Sequence, residues 1–438
     1  MSRPPNLFKR VFLPVVFFFV LAAFIVRLAL DREARGFFDP SFLRQWWRVG
    51  QVMVLTHQDY LHGDKVAYSK LADTALDHAL DGLDRYTDYL LPVDYQDFIR
   101  ESDQRFVGVG VEIERVHGSI QIYRVFDPSP AKQAGWRVGD RIVKVGDTDV
   151  HDYTVPAVAD LLRGADGSSV QVALERPGEA KPLEHTLTRG GFDVPNVRET
   201  ELRADDVGYL RLTQFGKQTG QEFAEAIDQL QKSAESQKGR LRGLVVDLRD
   251  NPGGLLDAAV EVLEPLLPAH ELVVTTRGRD NQLHDSIYTT GKSSVHFSGP
   301  VVVLVNSNSA SASEIVAGAL QDKGRAVILG ERSYGKGIVQ TVMGLGDGGG
   351  LRLTTEAYFL PGNLTQPNGR TIQDIGITPD VSMSLSGEMS DLLRLERSDL
   401  RHDSTEKFVS SYGFAPTPDP EVEAAAGLIR AATPTFAK

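Results

Sequence analysis

Three short stretches are apolar at nearly every position: "GLVVDL" from Gly243, "PVVVLV" from Pro300 and "AVILG" from Ala326. A strand with no polar side has to be covered on both faces. Helix-like runs are interleaved with them. "GQEFAEAIDQLQKSAE" carries Phe223, Ile227 and Leu230 on one side, and "LLDAAVEVLEPLL" and "SEIVAGALQDKG" follow the first two strands. "GIVQTVMGL" and "GLRLTTEAYFL" read as further strands. Strands alternating with helices imply a layered α/β core with parallel pairs.

The rest of the chain is organised differently. Residues 41–104 read as helical, with Leu71, Ala75, Leu76, Ala79 and Leu80 on one stripe. From Arg105 the period changes to that of strands in "RFVGVGVEIERV" and "SIQIYRVF". A turn, a short helix and a Gly-Asp turn follow in "DPSPAKQAGWRVGDRIVKVGDTDV", and "YTVPAVADLLRG" is amphipathic. The last stretch is polar and linker-like. It closes on an expected helix in "DPEVEAAAGLIRAA", with Asp419 as its cap and Pro420 in its first turn.

With 438 residues there is material for two to four domains at about 100–200 residues each. The net charge of −12, without a long basic run beyond the N-terminus, argues against a nucleic-acid partner. With no cysteine, disulfides, thiolate metal sites and cysteine catalysis are excluded. Arg3, Lys9 and Arg10 precede the apolar run Val11–Val26. The run extends to about 20 residues if the leucines beyond Arg27 count, enough to cross a bilayer. No good small-x-small site follows it, so an uncleaved anchor is expected rather than a cleaved signal. The basic flank then leaves the rest of the chain outside, in the periplasm or another extracytoplasmic space.

The segment "NSNSASASEIVAGALQDKGRAVILGERSYGKG" holds Ser309, Ser311 and Ser313 and ends in Lys336 between glycines. Ser311-Ala-Ser-Glu314 is a capping box for the helix that follows. A cap and a nucleophile are compatible, because nucleophiles often sit at strand-to-helix turns. None of the ten histidines lies beside a Gly-rich turn. A lysine can serve as base if its pKa is driven down toward neutrality. Lys336 fits that role, and on a strand Lys336, Ile338 and Gln340 would face one way, letting Gln340 orient the amine.

Residues 105–190 resemble a PDZ domain of the circularly permuted bacterial kind. "FVGVGV" (Phe106, Val107, Gly108, Val109, Gly110, Val111) would be the loop that holds a peptide carboxylate, and the Val155–Arg163 helix would flank the groove. "SASASEIVAGALQDKGRAVILGERSYGKGIVQT", with "VGYLRLTQF", "GLVVDLRDNPGGLLDAAVEV" and "GITPD", resembles the C-terminal processing peptidases, tail-specific serine proteases with a Ser-Lys dyad. The likeness spans about residues 65–385. It departs from that family at "FLPGNLTQPNGRTIQ", where a shorter turn is usual.

The resemblance implies Ser311 as nucleophile and Lys336, 25 residues on, as base. An oxyanion would need backbone donors: Ala312, and Gly253 or Gly254 of "DNPGG". It further implies a multidomain α/β protein: an anchor or signal (1–35), a helical region (41–104), an inserted PDZ domain (105–190), a crotonase-like protease core (195–385) and a C-terminal extension (386–438). Arg163 would link the PDZ domain to the active site. Expected partners are proteins with apolar C-terminal tails and the membrane through the N-terminal segment. Self-association is left open, and no metal or cofactor is implied. A silent PDZ scaffold and a crotonase-like acyl-CoA enzyme are the rival readings.

Overall fold

The structure is a computed structural model that describes residues 39–63, 66–102, 106–116, 118–179, 181–192, 194–362, 369–385 and 418–432. The apolar run Val11–Val26 and the segment "RSDLRH" lie outside these residues. Among the described residues no helix is long and apolar enough to cross a membrane. The chain separates into two units, residues 1–89 and 90–438.

In the first unit, α1 (Pro40–Asp59) starts at Asp39, whose Oδ1 accepts the Ser41 N–H at 2.7 Å. A second helix, α2 (Tyr68–Leu80), carries the expected stripe, but neither helix buries a residue. Leu71 and Leu80 are partly buried and Ala75, Leu76 and Ala79 exposed, so the stripe does not form a closed core. A short strand, β1 (Asp88–Leu90), stands where a turn was expected in "DRYTDYLLPVDYQDFIRES", and the further helix expected there is α3 (Pro92–Ser102).

The second unit begins at Leu90, so α3 belongs to it, and the PDZ segment follows. β2 (Phe106–Gly108) pairs antiparallel with β9 (Gly190–Phe192). Between them, β3 (Val111–Val116), β4 (Ser119–Val125), β5 (Arg141–Val145), β7 (Ser169–Glu175) and β8 (Leu183–Thr188) form one antiparallel sheet in that order. The two-residue β6 (Thr148–Asp149) adds to β5. Trp136, Ile122, Val158 and Leu174 fill the core between this sheet, α4 (Pro130–Gln133) and α5 (Val155–Leu162).

The α/β core follows. Its main sheet runs β10 (Val197–Arg203), β11 (Val207–Leu212), β12 (Gly243–Asp247), β15 (Val301–Val305), β16 (Val327–Gly330), β20 (Val381–Ser382). Only the β10–β11 pair is antiparallel; the rest are parallel. Alternate residues divide between two cores, as the pleat requires. Leu244, Val246, Val301, Val303 and Val305 pack toward α6 (Thr219–Ser236), α7 (Leu256–Leu263) and α8 (Ala312–Asp322). Val245, Val302 and Leu304 pack toward α9 (Pro420–Ala432), through Val422, Ala425, Ala426 and Ile429. The C-terminal helix thus supplies the second cover that the all-apolar strands demand. A second sheet is built around β18 (Gly350–Leu360). It pairs antiparallel with β13 (Leu272–Arg277), β17 (Ile338–Gly344) and β19 (Arg370–Thr371), and β13 in turn with β14 (Leu283–Tyr288).

Phe223 on α6 is fully buried in the larger core. Phe223→Ala is expected to destabilise the protein by about 3–5 kcal/mol. The urea midpoint should fall with an unchanged m-value; an unshifted midpoint would mean that α6 does not pack as described.

Candidate active site

Three turns leave the carboxyl ends of three neighbouring parallel strands. Leu248–Leu255 follows β12, Asn306–Ser311 follows β15 and Glu331–Gly337 follows β16. The registers Asp247↔Leu304 and Leu304↔Leu329 set these exits side by side. Sites in open α/β sheets form at this edge because the chain turns there without crossing the sheet.

Ser311 is the N-cap of α8 and holds φ 54°, ψ −114°. For a non-glycine residue such backbone costs about 1–3 kcal/mol and persists only where neighbours over-determine it. They do so here. Ser309 Oγ donates to the Leu248 carbonyl (2.8 Å), the Ala310 N–H to the Asn251 carbonyl (3.0 Å) and Ser313 Oγ to the same carbonyl (2.9 Å). Ser309 and Ser313 are both fully buried, whereas Ser311 keeps partial exposure. Two of the three serines therefore bond the neighbouring turn, and of the three only Ser311 keeps solvent exposure.

Glu314, also fully buried, joins the second turn to the third. Its Oε2 accepts the Ser311 N–H (2.8 Å) and the Lys336 N–H (2.8 Å). Its Oε1 accepts the Gly335 N–H (2.7 Å) and Ser333 Oγ (2.5 Å). One carboxyl oxygen thus binds the main chains of both residues of the expected dyad. The capping-box spacing was visible in the sequence; the reach to residues 333–336 was not.

The strand geometry expected around Lys336 is corrected. β17 begins only at Ile338, so Lys336 lies in the turn ahead of it. The β17–β18 register also shifts between Val339 and Gln340, so the simple alternation that put Lys336 and Gln340 on one face does not apply. Gln340 Nε2 is buried with no hydrogen-bond partner among the described residues.

The "DNPGG" turn presses on the Ser311 turn. A Cβ on Gly253 would stand 2.8 Å from the Ser311 Cβ and 2.9 Å from the Ala312 nitrogen, and Gly253 holds φ +99°. Only glycine allows that approach. The choice between the two glycines also narrows: the Gly253 N–H is taken by Asn251 Oδ1 at 2.9 Å. The N–H groups of Gly254 and Ala312 have no acceptor among the described residues. Asn251 was not singled out in the sequence. It holds the turn through Nδ2 to the Leu212 carbonyl (2.9 Å).

The residues expected to bind a peptide converge elsewhere in the same unit. Phe106, Val107, Gly108, Val109, Gly110, Val111 and Arg163 all line one pocket of about 250 Å³, with Phe126 and Leu162. The Val109 and Gly110 N–H groups have no acceptor among the described residues. Arg163 is largely exposed and its Nη1 pairs with Asp160 at 3.0 Å. Arg198 and Gln214, from the core side, complete the wall. Arg198 Nη1 donates to Glu112 Oε1 on β3 at 2.8 Å. Phe215, next to Gln214, donates its N–H to the Gly253 carbonyl (3.0 Å) and accepts from the Leu255 N–H (2.8 Å). Among the described residues no cluster of His, Asp and Glu could hold a metal ion.

Comparison with known proteins agrees in kind. Residues 206–383 match peptidase family S41, and residues 122–176 match a PDZ domain. The carboxy-terminal-processing protease of Bartonella bacilliformis is 38% identical over 314 residues, 71% of this chain and 69% of that protein. The carboxyl-terminal-processing protease of a Synechocystis strain is 31% identical over 353 residues, 79% of this chain and 77% of that protein. Among solved structures, a photosystem II D1 C-terminal processing protease aligns with a TM-score of 0.45 and 32% identity, over 77% of this chain and 86% of that one.

Glu314→Gln replaces an acceptor oxygen with a donor opposite buried N–H groups. It is expected to cost at least about 1–3 kcal/mol of stability and to lower peptidase activity in the fraction that stays folded. Thermal melting paired with a peptide-cleavage assay checks both; wild-type activity would show that the Ser311–Lys336 placement does not depend on this carboxyl.

Proposed function

The chain belongs to peptidase family S41 as a serine-type carboxy-terminal-processing protease, and on that footing we propose that Ser311 is its nucleophile and Lys336 its general base. The observation that carries this reading is the Glu314 Oε2 atom that accepts from both main chains. Ser311 Oγ attacks a peptide carbonyl while neutral Lys336 takes its proton and later gives it to the leaving amine. The N–H groups of Ala312 and Gly254 stabilise the oxyanion. Gln340 offers a carboxamide oxygen to orient the lysine amine. Water then hydrolyses the acyl-enzyme.

The PDZ pocket selects proteins with apolar C-terminal tails. Val109 and Gly110 supply N–H donors for the terminal carboxylate, and Phe106, Val107, Val111 and Leu162 supply the apolar wall. Because Gln214 borders this pocket and Phe215 bonds the Gly253 turn, tail binding also gates catalysis, with Arg163 at the pocket rim. The core is of the crotonase-like kind, the region before residue 105 is its helical lead-in, and the apolar run Val11–Val26 anchors the chain with the catalytic part outside the cytoplasm.

Ser311→Ala is expected to abolish cleavage in a folded protein. Lys336→Arg should do the same, because a guanidinium stays charged and cannot act as base. A general base works deprotonated, so wild-type kcat should rise with pH through the lysine pKa and level off above it. Near-normal turnover in Lys336→Arg, or a rate flat from acid to alkaline pH, would require another base.

Paired substrates differing only in a free or amidated C-terminus test the pocket. The free acid should be cut more efficiently by about one to two powers of ten, matching the loss of one charge-assisted hydrogen bond or slightly more. Equal rates on the two would remove carboxylate recognition from the reading.

A further inference from the structure

Among the described residues Arg249 is the largest side chain that is almost fully buried, and the catalytic chemistry does not use it. It sits between β12 and the Gly253–Gly254 turn. Nε donates to Asp247 Oδ1 (2.9 Å) and Nη2 to Asp247 Oδ2 (2.5 Å). The same guanidinium reaches the C-terminal helix. Nη2 donates to Asp419 Oδ2 (2.8 Å), and Nη1 to Asp419 Oδ1 (3.2 Å) and Glu421 Oε2 (2.5 Å). Asp419 caps α9, accepting the N–H groups of Glu421 (3.1 Å) and Val422 (3.3 Å). Tyr209 completes the network by donating to Asp247 Oδ2 at 2.8 Å.

The backbone that carries Arg249 is tied on its other side to the nucleophile turn. The Asp250 N–H donates to Asn306 Oδ1 (3.0 Å), and Leu248 and Asn251 offer their carbonyls to Ser309 and Ser313. So the few residues between Asp247 and Gly254 are held by α9 from one direction and by the Ser311 turn from the other.

Burial by itself disfavours the Arg249 cation; the carboxylates of Asp247 and Asp419 outweigh it and hold its pKa well above the ordinary value. Burial likewise pushes the Glu421 carboxyl up, and the Arg249 charge pulls it back in part. Such a buried ionic network stabilises a fold no better than well-packed apolar residues of the same volume. What it supplies that apolar contacts do not is direction: a planar fork fixes two carboxylates in angle as well as distance.

We propose that Arg249 is a positioning residue through which the C-terminal helix becomes part of the catalytic scaffold, its fork holding the Gly253–Gly254 turn in register with Ser311. This rests on the nucleophile and oxyanion roles proposed above. The test is the full chain carrying Asp419→Asn with Glu421→Gln, which leaves Ser311, Lys336 and both glycines untouched. Removing one oxyanion donor outright costs about 10²–10³ in kcat, so a displaced turn should cost about ten-fold or more. KM should stay within about two-fold, and fluorophosphonate labelling of Ser311 should slow in parallel.

Arg249→Lys keeps the charge and loses the fork, and should show the same split. Melting curves define a temperature at which each variant is folded. Should both melt too low, Asp419→Asn alone, with Asp247 and Glu421 still on the arginine, gives the same comparison. A lowered melting temperature with wild-type kcat in the folded enzyme overturns the proposal and leaves Arg249 a purely structural residue. Ser311→Ala is run alongside: if it is dead while these variants turn over normally, the positioning role alone fails. If it stays active, the nucleophile assignment fails first.

Discussion

The buried carboxyl of Glu314 is the contact on which the site depends. Two turns from different strands meet on its two oxygens, which accept four hydrogen bonds between them. A carboxylate has enough lone-pair directions to satisfy four donors at once, and no neutral side chain of that length does. The same residue closes the first turn of α8 from inside and so supports the left-handed Ser311 backbone. A helix cap has been extended into a clamp between the Ser311 turn and the Lys336 turn. Unmaking it would leave several buried N–H groups without acceptors, which is why a strained serine can be held still.

The clamp works because the sheet delivers its parts to one edge. Parallel neighbours end on the same side, so the turns after β12, β15 and β16 emerge together without further guidance. The hydrogen bonds of Asn251, Ser309 and Ser313 then knit the first two turns, and Glu314 adds the third. The family's chemistry asks for a nucleophile, a base and oxyanion donors in one place. On the proposed assignment the nucleophile Ser311 and one oxyanion donor, Ala312, are neighbours in the chain, while the second donor, Gly254, and the base, Lys336, come from two other turns.

The PDZ segment and the core share a boundary of charged and apolar contacts. Glu112 on β3 bonds Arg198, whose guanidinium also lies over the Phe126 ring at 5.6 Å from its centroid. Arg198 and Gln214 belong to the core side yet line the pocket formed by Phe106–Val111. A pocket walled by both parts is sensitive to how they sit together. A short backbone path runs from Gln214 through Phe215 to the Gly253–Gly254 turn.

Much of this was legible in the chain itself. Strands buried on both faces leave an unbroken apolar signature, so "GLVVD", "VVVLV" and "VILG" marked the sheet, and the helical period marked α6 to α8. The glycine-rich "FVGVGV" and "DNPGG" marked backbone that must expose N–H groups or accept close approach. Those are local properties, set by side-chain period and by which residues tolerate a given φ. What the sequence did not disclose depends on partners far apart in number. The Lys336 turn lies ahead of its strand, so alternation could not orient it, and the Gly253 N–H is already taken by Asn251. The second role of Glu314 and the grip of Arg249 on Asp419, 170 residues away, have no local pattern at all. Period and propensity determined which segments pair and where the backbone must bend. Only the packed tertiary structure decided which donors those bends leave free, because a hydrogen bond across the fold is fixed by position in space and not by separation along the chain.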